Sequence, residues 1–407
     1  MCHCLKVKQT DCFLRKGNHI DHRNFSGRAP NLGYFLSMMI KKVIKCMALV
    51  VGFAFFSAPT LAQSIDSSAG AVRVEVILDG LDEPWGLAFL PDGGFLVTER
   101  GGRLIHSQGG QTQPVSGLPD ILEDGQGGLL DVMVPKDFGT SREVFLSYAK
   151  SLPDGSGTAM AIGTLSPDGA RLNNVRVIFE MTTDGTGGRH FGGRIVEGRD
   201  GTVFLTLGER GDRDAAQDLG RHNGSIVRVN RDGSIPADNP FVGQADILPE
   251  IWSYGHRNPQ GAALDLNGQL WVSEHGARGG DEINRIEPAR NYGWPVISYG
   301  RHYSGFKIGE GTSKPGMEQP LHYWDPSIAP SGLMVYSGKL WPAWKGDFFV
   351  GSLKFDYLSR LDPDMGWQEE KLQSSRTERV RDVKEAPDGS IWILSVGQGA
   401  VMRLSPR

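Results

Sequence analysis

Residues Trp252 to Pro295 concentrate groups that could do chemistry: WSYGHRNPQGAALDLNGQLWVSEHGARGGDEINRIEPARNYGWP. An Arg–Asn pair, Arg257 and Asn258, stands ahead of a short predicted strand, Gln269 to Ser273. Behind it come a turn rich in carboxylates and carbonyls, Glu274 to Glu282, and an Asn-Tyr-Gly-Trp-Pro turn. Oxygen ligands beside a fixed cation suit a hard metal such as calcium together with a bound anion. The plainer reading is a sheet repeat with polar loops. The choice depends on what the rest of the chain supplies.

Two further features bear on it. His190 lies between a loop, Thr182 to Gly188, and a predicted strand starting at Arg194. An imidazole near its usual pKa of about 6.5 accepts a proton at neutral pH; an isolated histidine of this kind is more simply a polar loop residue. Arg379 and Arg381 alternate around Val380. In a strand, residues two apart share a face, so two guanidiniums there could clamp a carboxylate. The plainer alternative is a solvated basic edge paired with Glu378 and Asp382. No Gly-x-Gly-x-x-Gly follows a strand and opens a helix, so nicotinamide and flavin folds are not indicated.

The elements that must position these groups show as a repeat. A turn containing Asp-Gly or Asn-Gly precedes an alternating strand at Phe95–Thr98, Thr202–Thr206, Gln269–Ser273 and Ser390–Leu394. Weaker copies precede Glu143–Ser147 and Phe348–Gly351. Asp-Gly and Asn-Gly tolerate positive φ and are strong hairpin signals. Six copies give a period of about 57 residues, longer than a simple four-stranded blade of roughly 40–45, so the excess goes into loops. The expected fold is all-β, a single six-bladed β-propeller from about Val72 to Arg407. A β-sandwich is the alternative, but it would not need six repeats. Long loops on one propeller face are where sites are built.

The N-terminus reads differently. Lys41, Lys42 and Lys45 precede an apolar run from Cys46 to Ala58, and Thr60-Leu61-Ala62 offers a small-residue cleavage site. This is the pattern of a secretory signal, with Met38 or Met39 as its start. The run is shorter than the roughly 20 residues of a spanning helix, so no stable membrane insertion is expected after processing. Residues 1–37 read as a misassigned N-terminal extension, 38–62 as the signal and 63–407 as the propeller. All four cysteines precede Ala62, and export without disulfides suits a bacterial periplasm. Removing residues 1–62, with nine basic and two acidic side chains, takes the net charge from −4 to −11. So acidic a chain argues against a nucleic-acid partner.

Short motifs run in order along residues 81–382: Leu81-Asp-Glu-Pro-Trp-Gly-Leu-Ala-Phe-Leu90, Gly125-Gln-Gly-Gly-Leu-Leu130, Arg189-His-Phe-Gly-Gly-Arg194 and Leu207-Gly-Glu-Arg210. The long stretch above comes next, then Ile328-Ala-Pro-Ser-Gly332, Gly351-Ser-Leu-Lys354 and Glu378-Arg-Val-Arg-Asp382. Together they resemble the soluble PQQ-dependent glucose/sorbosone (aldose sugar) dehydrogenases. The resemblance implies PQQ and Ca2+ as cofactors and oxidation of an aldose at C1 to the lactone. It implies His190 as the base for the anomeric hydroxyl, hydride transfer to PQQ, and Arg257 supporting the developing oxyanion. It places Arg257, Asn258, Lys354, Arg379 and Arg381 around PQQ, and the carbonyls of Gly276 and Ala277 on its calcium. Glu282 and Tyr292 match a further, structural calcium, with Asp281 a weaker match. Gln126, Trp324 and Arg210 match positions beside the sugar. Leu321, the additional residue Asp325, and Arg210 depart from the glucose-preferring pattern towards a broad aldose branch. The partners implied are a small aldose and an electron acceptor, a quinone or a cytochrome. The rivals are a calcium-dependent propeller lactonase, with no use for the cluster Lys354, Arg379 and Arg381, and a non-catalytic binding propeller.

Overall fold

The computed structural model describes residues 63–182, 185 and 187–407. The signal and extension expected at residues 1–62 lie outside them. Six antiparallel sheets account for the strands. The first blade comprises Pro84–Phe89, Phe95–Glu99, Arg103–Gln108 and Gln111–Pro114. The second comprises Leu129–Met133, Glu143–Leu152, Gly155–Leu165 and Leu172–Glu180; the third Ile195–Glu197, Val203–Thr206, Ser225–Val229 and Ile251–Tyr254. The fourth comprises Pro259–Leu264, Leu270–Glu274, Asp281–Arg285 and His322–Trp324; the fifth Pro330–Val335, Phe348–Ser352, Tyr357–Asp362 and Gln368–Gln373. The sixth takes Val380–Glu385, Ile391–Ser395 and Ala400–Pro406 from the C-terminus. Val72–Leu78 completes it from the N-terminus, pairing Val74 with Leu404 and Val76 with Met402, and Gln63–Ile65 adds an outer strand. Joining the two ends in one sheet removes the exposed edges that an open ring would leave.

The six-bladed propeller expected from the repeats is therefore the fold, and each predicted strand is the second strand of its blade. Blades pack face to face, so their inner strands are buried on both sides. Strand periodicity sorts each side chain to one neighbour. Phe348 and Val350 pack towards Trp271 and Ile283 of the fourth blade, while Phe349 between them packs with Val383 and Ile393 of the sixth. Leu87 and Val97 meet Leu394 and Val401, which closes the ring between the first and last blades.

Five of the six innermost strands carry a register shift at one level, between Pro84 and Gly86, Leu129 and Val132, Pro259 and Gly261, Pro330 and Leu333, and Val380 and Asp382. A bulge re-aims the residues it contains. Trp85, Leu130, Gln260 and Arg381 all fall at these bulges, and all four line one cavity. Glycine completes the arrangement: a Cβ on Gly86 would lie 2.8 Å from Asp131 Oδ1, and one on Gly332 only 2.2 Å from Asp382 Oδ1. The third and fourth strands of the fourth blade are separated by an insertion, residues 286–321. Among the described residues, no helix is long and apolar enough to cross a membrane.

Candidate active site

The cavity, about 650 Å³, is lined by residues from loops and innermost strands of all six blades, including Trp85, Gln126, Phe191, Asn258, Gly276 and Arg381. Beneath it Arg194 is fully buried and ties three blades together. Its Nη1 donates to Asp131 Oδ1 at 2.8 Å and lies 3.2 Å from Asp382 Oδ2. These carboxylates also accept from the amides of Ile195 and Leu87. The Arg194 guanidinium lies 4.5 Å from the centre of the Trp85 ring, which forms part of the cavity wall.

The other cations here are differently placed. Arg381 donates from Nη1 to the Gln260 side-chain oxygen at 2.8 Å, and Arg379 from Nη1 to the Leu353 carbonyl at 3.0 Å. The Lys354 ammonium lies 4.8 Å from the centre of the Phe355 ring. Among the described residues none of the three forms an ion pair with a carboxylate, although all three line the cavity. Burial and the charges of Arg194 and Arg379 push the Arg381 guanidinium down to about 9. Arg379 and Arg381 both line the cavity, but strand alternation is not what puts them there. Arg379 precedes the strand with φ +48°, and Val380 and Asp382 flank a bulge. Simple alternation therefore does not bring the pair together; the left-handed residue and the bulge do.

His190 adjoins this wall. Phe191 and Gly192 after it line the cavity, and so does Gln126, whose Oε1 accepts from the His190 amide at 2.8 Å. The imidazole Nδ1 lies 2.8 Å from Glu209 Oε2, and that carboxylate also accepts from the Gly211 amide. The pair assigns the proton to Nδ1 and leaves Nε2 as the acceptor. Nε2 makes no hydrogen bond among the described residues. Burial is the largest influence on His190 and lowers its pKa, Glu209 opposes that, and Arg257 adds to it. His190 itself has φ +54°, a strained conformation of the kind that collects at functional sites.

Two other histidines, His256 and His275, lie close to the same wall. His256 is fully buried, with Nε2 2.9 Å from Ser253 Oγ and Nδ1 3.0 Å from Glu274 Oε1. His275 donates from Nε2 to the Pro330 carbonyl at 2.7 Å, and burial holds its pKa near 3, so it stays neutral.

Asn258 lines the cavity, and its Oδ1 accepts from the Gly192 amide at 3.1 Å. Arg257 sits behind the wall, in a small adjoining cavity that shares His275 and Gly276 with the main one. Its Nη1 donates to the His275 carbonyl at 3.3 Å, its amide donates to Glu274 Oε2, and its buried Nε has no partner among the described residues. Gly276 and Ala277 form part of the main wall. The turn there is tight: a Cβ on Gly276 would lie 2.3 Å from the carbonyl oxygens of both Gly279 and Gly280. Asp281 holds the turn closed by accepting from the Gly276 amide at 2.8 Å. Its other oxygen accepts from Ser327 Oγ and the amides of Ile328 and Ala329. Both oxygens thus accept hydrogen bonds, and Asp281 braces the turn.

Glu282 and Tyr292 line the smaller cavity together with Glu274. Burial and the Glu274 charge push the Glu282 carboxyl up to about 8. The Tyr292 hydroxyl donates to the Arg285 carbonyl, and its ring stacks on His256 at 4.6 Å. Among the described residues no three His, Cys, Asp or Glu side chains converge to hold a metal.

Two expected sugar contacts are not brought to the cavity. Trp324 is turned into the core between the fourth and fifth blades, where its indole donates to Glu369. Arg210 is buried with its guanidinium over the far side of the wall residue Phe191, 3.3 Å from the ring centre, and donates to Ser156 and to the Arg189 carbonyl. It supports the wall instead of touching what the wall encloses. Sequence reading missed Glu209, Trp85, Gln260 and Tyr303. Glu209 and Trp85 lie inside the quoted motifs, but only the fold reveals their partners.

Comparison with known proteins agrees with this geometry. The profile of the Glucose / Sorbosone dehydrogenase family matches residues 81–403. The aldose sugar dehydrogenase YliI of Escherichia coli is 43% identical, the match covering 87% of this chain and 99% of that protein. The crystal structure of the soluble aldose sugar dehydrogenase from Escherichia coli in the apo-form superposes with a TM-score of 0.79 at 43% identity, over 83% of this chain and 100% of that one. The PQQ-bound aldose sugar dehydrogenase from Streptomyces coelicolor gives a TM-score of 0.69 at 26% identity, over 82% of this chain and 98% of that one. With its six blades, its cation-lined cavity and its ordered motifs, the chain belongs to the glucose/sorbosone dehydrogenase family.

Proposed function

We propose that the protein oxidises aldose sugars at C1 to the lactone, with PQQ and calcium as cofactors. The observation that carries this reading is the set of cavity cations without carboxylate partners, Lys354, Arg379 and Arg381. Arg381 is partly buried, and a buried cation without a carboxylate is costly unless an anion joins it; Arg379 and Lys354, exposed beside it on the same cavity, would extend that anion site. PQQ has three carboxylates, and these three residues with Asn258 would hold it. Gly276 and Ala277 would supply backbone oxygen to its calcium, which suits a hard cation. Glu274 and Glu282, two carboxylates at one buried place, fit a second, structural calcium that would also involve Tyr292.

The cofactor, once bound, accepts the hydride that leaves the sugar C1. The chain's own part is proton handling and orientation. His190 Nε2 takes the proton of the anomeric hydroxyl as the C1 carbonyl forms, and Glu209 steadies the imidazolium through Nδ1–H. Burial keeps the imidazole neutral and ready before the sugar arrives. Arg257, held by Glu274 and the His275 carbonyl, provides a fixed positive charge beside the wall. Gln126 fixes the backbone of His190. Electrons pass on to an external acceptor, a quinone or a cytochrome. The basic and apolar pattern at residues 41–62 supports export to the periplasm.

A calcium-dependent lactonase or a binding propeller would gain nothing from the unpaired cation set. The protein loaded with PQQ and calcium is assayed over a sugar panel with an artificial dye as acceptor. Oxidation that needs both cofactors, and that a chelator added beforehand prevents, is the expected result. NAD-supported oxidation without quinone would overturn the reading.

A further inference from the structure

The insertion of residues 286–321 brings Arg301 and Lys307 beside Arg278 and Arg213, a second group of cations that the cofactor reading leaves unused. Arg278 and Arg301 face each other across an antiparallel bridge, with Arg278 N donating to Arg301 O at 2.9 Å and Arg301 N to Arg278 O at 3.1 Å. Arg301 in turn bridges Lys307. Residues directly opposite on a ladder send their side chains to one face, and like charges in that position are destabilising. Here three cations stand in one row. Arg213 adds a fourth, its guanidinium 3.3 Å from the His302 ring.

Arg213, Arg278, Arg301 and Lys307 are exposed, and among the described residues none of them forms an ion pair. Glu310 pairs with Lys314 and Asp212 with Arg221, while Asp325, whose Oδ1 lies beside Gly279, forms no ion pair with the row among the described residues. Arg278 itself lines the cavity, as does Tyr303 of the insertion, which is 76% exposed. The row therefore begins in the cavity wall and runs outward, on a chain whose propeller segment has a net charge of −11. Repulsion within the row costs stability, and nothing in the propeller's packing requires these side chains.

We propose that this row makes the cavity selective for aldoses carrying an anionic group, a carboxylate or a phosphate, remote from C1. The inference rests on the functional reading above and adds the charge class of its substrate. With C1 directed to His190, the distal end of the sugar is the part left to meet the cavity mouth, where Arg278 stands. Arg301 and Lys307 extend the attraction outward and speed capture of an anion. The cation set Lys354, Arg379 and Arg381 is reserved for the cofactor, so the two groups have separable roles.

The test compares glucose, glucuronate and glucose 6-phosphate in the enzyme loaded with PQQ and calcium, with a dye acceptor at low ionic strength. The charged sugars should show kcat/KM about tenfold above glucose, carried by KM and shrinking as salt is added. Glucuronate and glucose 6-phosphate separate the two sources of charge. In Arg278→Ala, and in the double variant Arg301→Ala with Lys307→Ala, the ratio of charged to neutral kcat/KM should fall. Because a ratio is read, a general loss of turnover cancels. Binding is measured separately by titrating methyl glucuronoside, which has no anomeric hydroxyl to oxidise, against methyl glucoside. Equal kcat/KM with flat salt dependence, together with equal binding of the two glycosides, would overturn the proposal. So would variants that change the KM of the acceptor instead of the sugar, which would assign the row to acceptor docking. Failure to oxidise any aldose would instead count against the functional reading, while the glycoside titration would still test the row.

Discussion

The Nδ1 of His190 lies 2.8 Å from a carboxylate oxygen of Glu209, and the Glu209 side chain is only 1% exposed. The two residues stand 19 positions apart, one on the loop entering the third blade and the other just past that blade's second strand. The blade's hairpin folds them together. A sealed carboxylate on Nδ1 fixes the tautomer and would stabilise the imidazolium that forms if His190 is the base proposed above.

Its effect on pH dependence has a definite sign. Burial lowers the His190 pKa and Glu209 partly offsets this. The base works when neutral, so the acid limb of kcat/KM should lie below the usual histidine value of about 6.5. Glu209→Gln removes the charge that favours the imidazolium, so the limb should move to still lower pH and the plateau should drop about tenfold or more. His190→Ala should lose about 10²–10⁴-fold. A pH–rate profile of each variant checks this; an acid limb that stays in place in Glu209→Gln would remove His190 from the role of titrating base.

Arg381 and Arg194 are neighbours of one type with opposite consequences. Arg381 has no carboxylate partner among the described residues, and burial pushes it down to about 9. Its charge costs the cofactor-free fold. Arg381→Met should raise the melting temperature of the cofactor-free protein while weakening PQQ binding about ten- to hundredfold, the loss expected for a charge-assisted contact. Thermal unfolding with and without PQQ measures both. A lowered melting temperature, or unchanged affinity, would contradict the proposed pocket.

Arg194 is buried with Asp131 and Asp382 on either side. Removing one partner from a buried pair leaves a charge uncompensated. Asp131→Ala should therefore destabilise the fold by about 3–5 kcal/mol. It also removes the acceptor for the Ile195 amide. Denaturant unfolding reads the loss directly; a change under about 1 kcal/mol would mean that Asp382 alone satisfies Arg194.

The blades were readable because each one repeats the same local chemistry. An Asp-Gly or Asn-Gly turn and an alternating strand mark the second strand of a blade wherever they occur. Side-chain direction was much less readable. Arg379 and Arg381 reach one cavity through a left-handed residue and a bulge, neither of which alternation predicts. Trp324 matches a sugar-facing position in the motif but points into the core. Strand residues change face with every step, and this chain carries an additional residue, Asp325, directly after it. Glu209 stood in a recognised motif, but its partner is set by the third blade's hairpin. The cation row of Arg278, Arg301 and Lys307 showed no signal, because its members are adjacent only through loop bridges.

Gly276 gives the sharpest test of the turn proposed to bind calcium. Its amide is held by Asp281 Oδ1 at 2.8 Å, and a Cβ would meet the Gly279 and Gly280 carbonyl oxygens at 2.3 Å. Neither neighbour is the end of a flexible side chain, so Gly276→Ala must open the turn. The strands on either side, Leu270–Glu274 and Asp281–Arg285, pair independently along their length, so the blade should survive. The expected outcome is a folded protein whose PQQ affinity no longer responds to calcium. Ala277→Ser provides the contrast: a carbonyl ligand does not depend on its own side chain, so the calcium response should persist. Titration of PQQ at several calcium concentrations, with circular dichroism to confirm the fold, separates the two variants. An intact calcium response in Gly276→Ala would move the cation away from this turn, and an equal loss in Ala277→Ser would contradict binding through the carbonyl, which that substitution leaves in place.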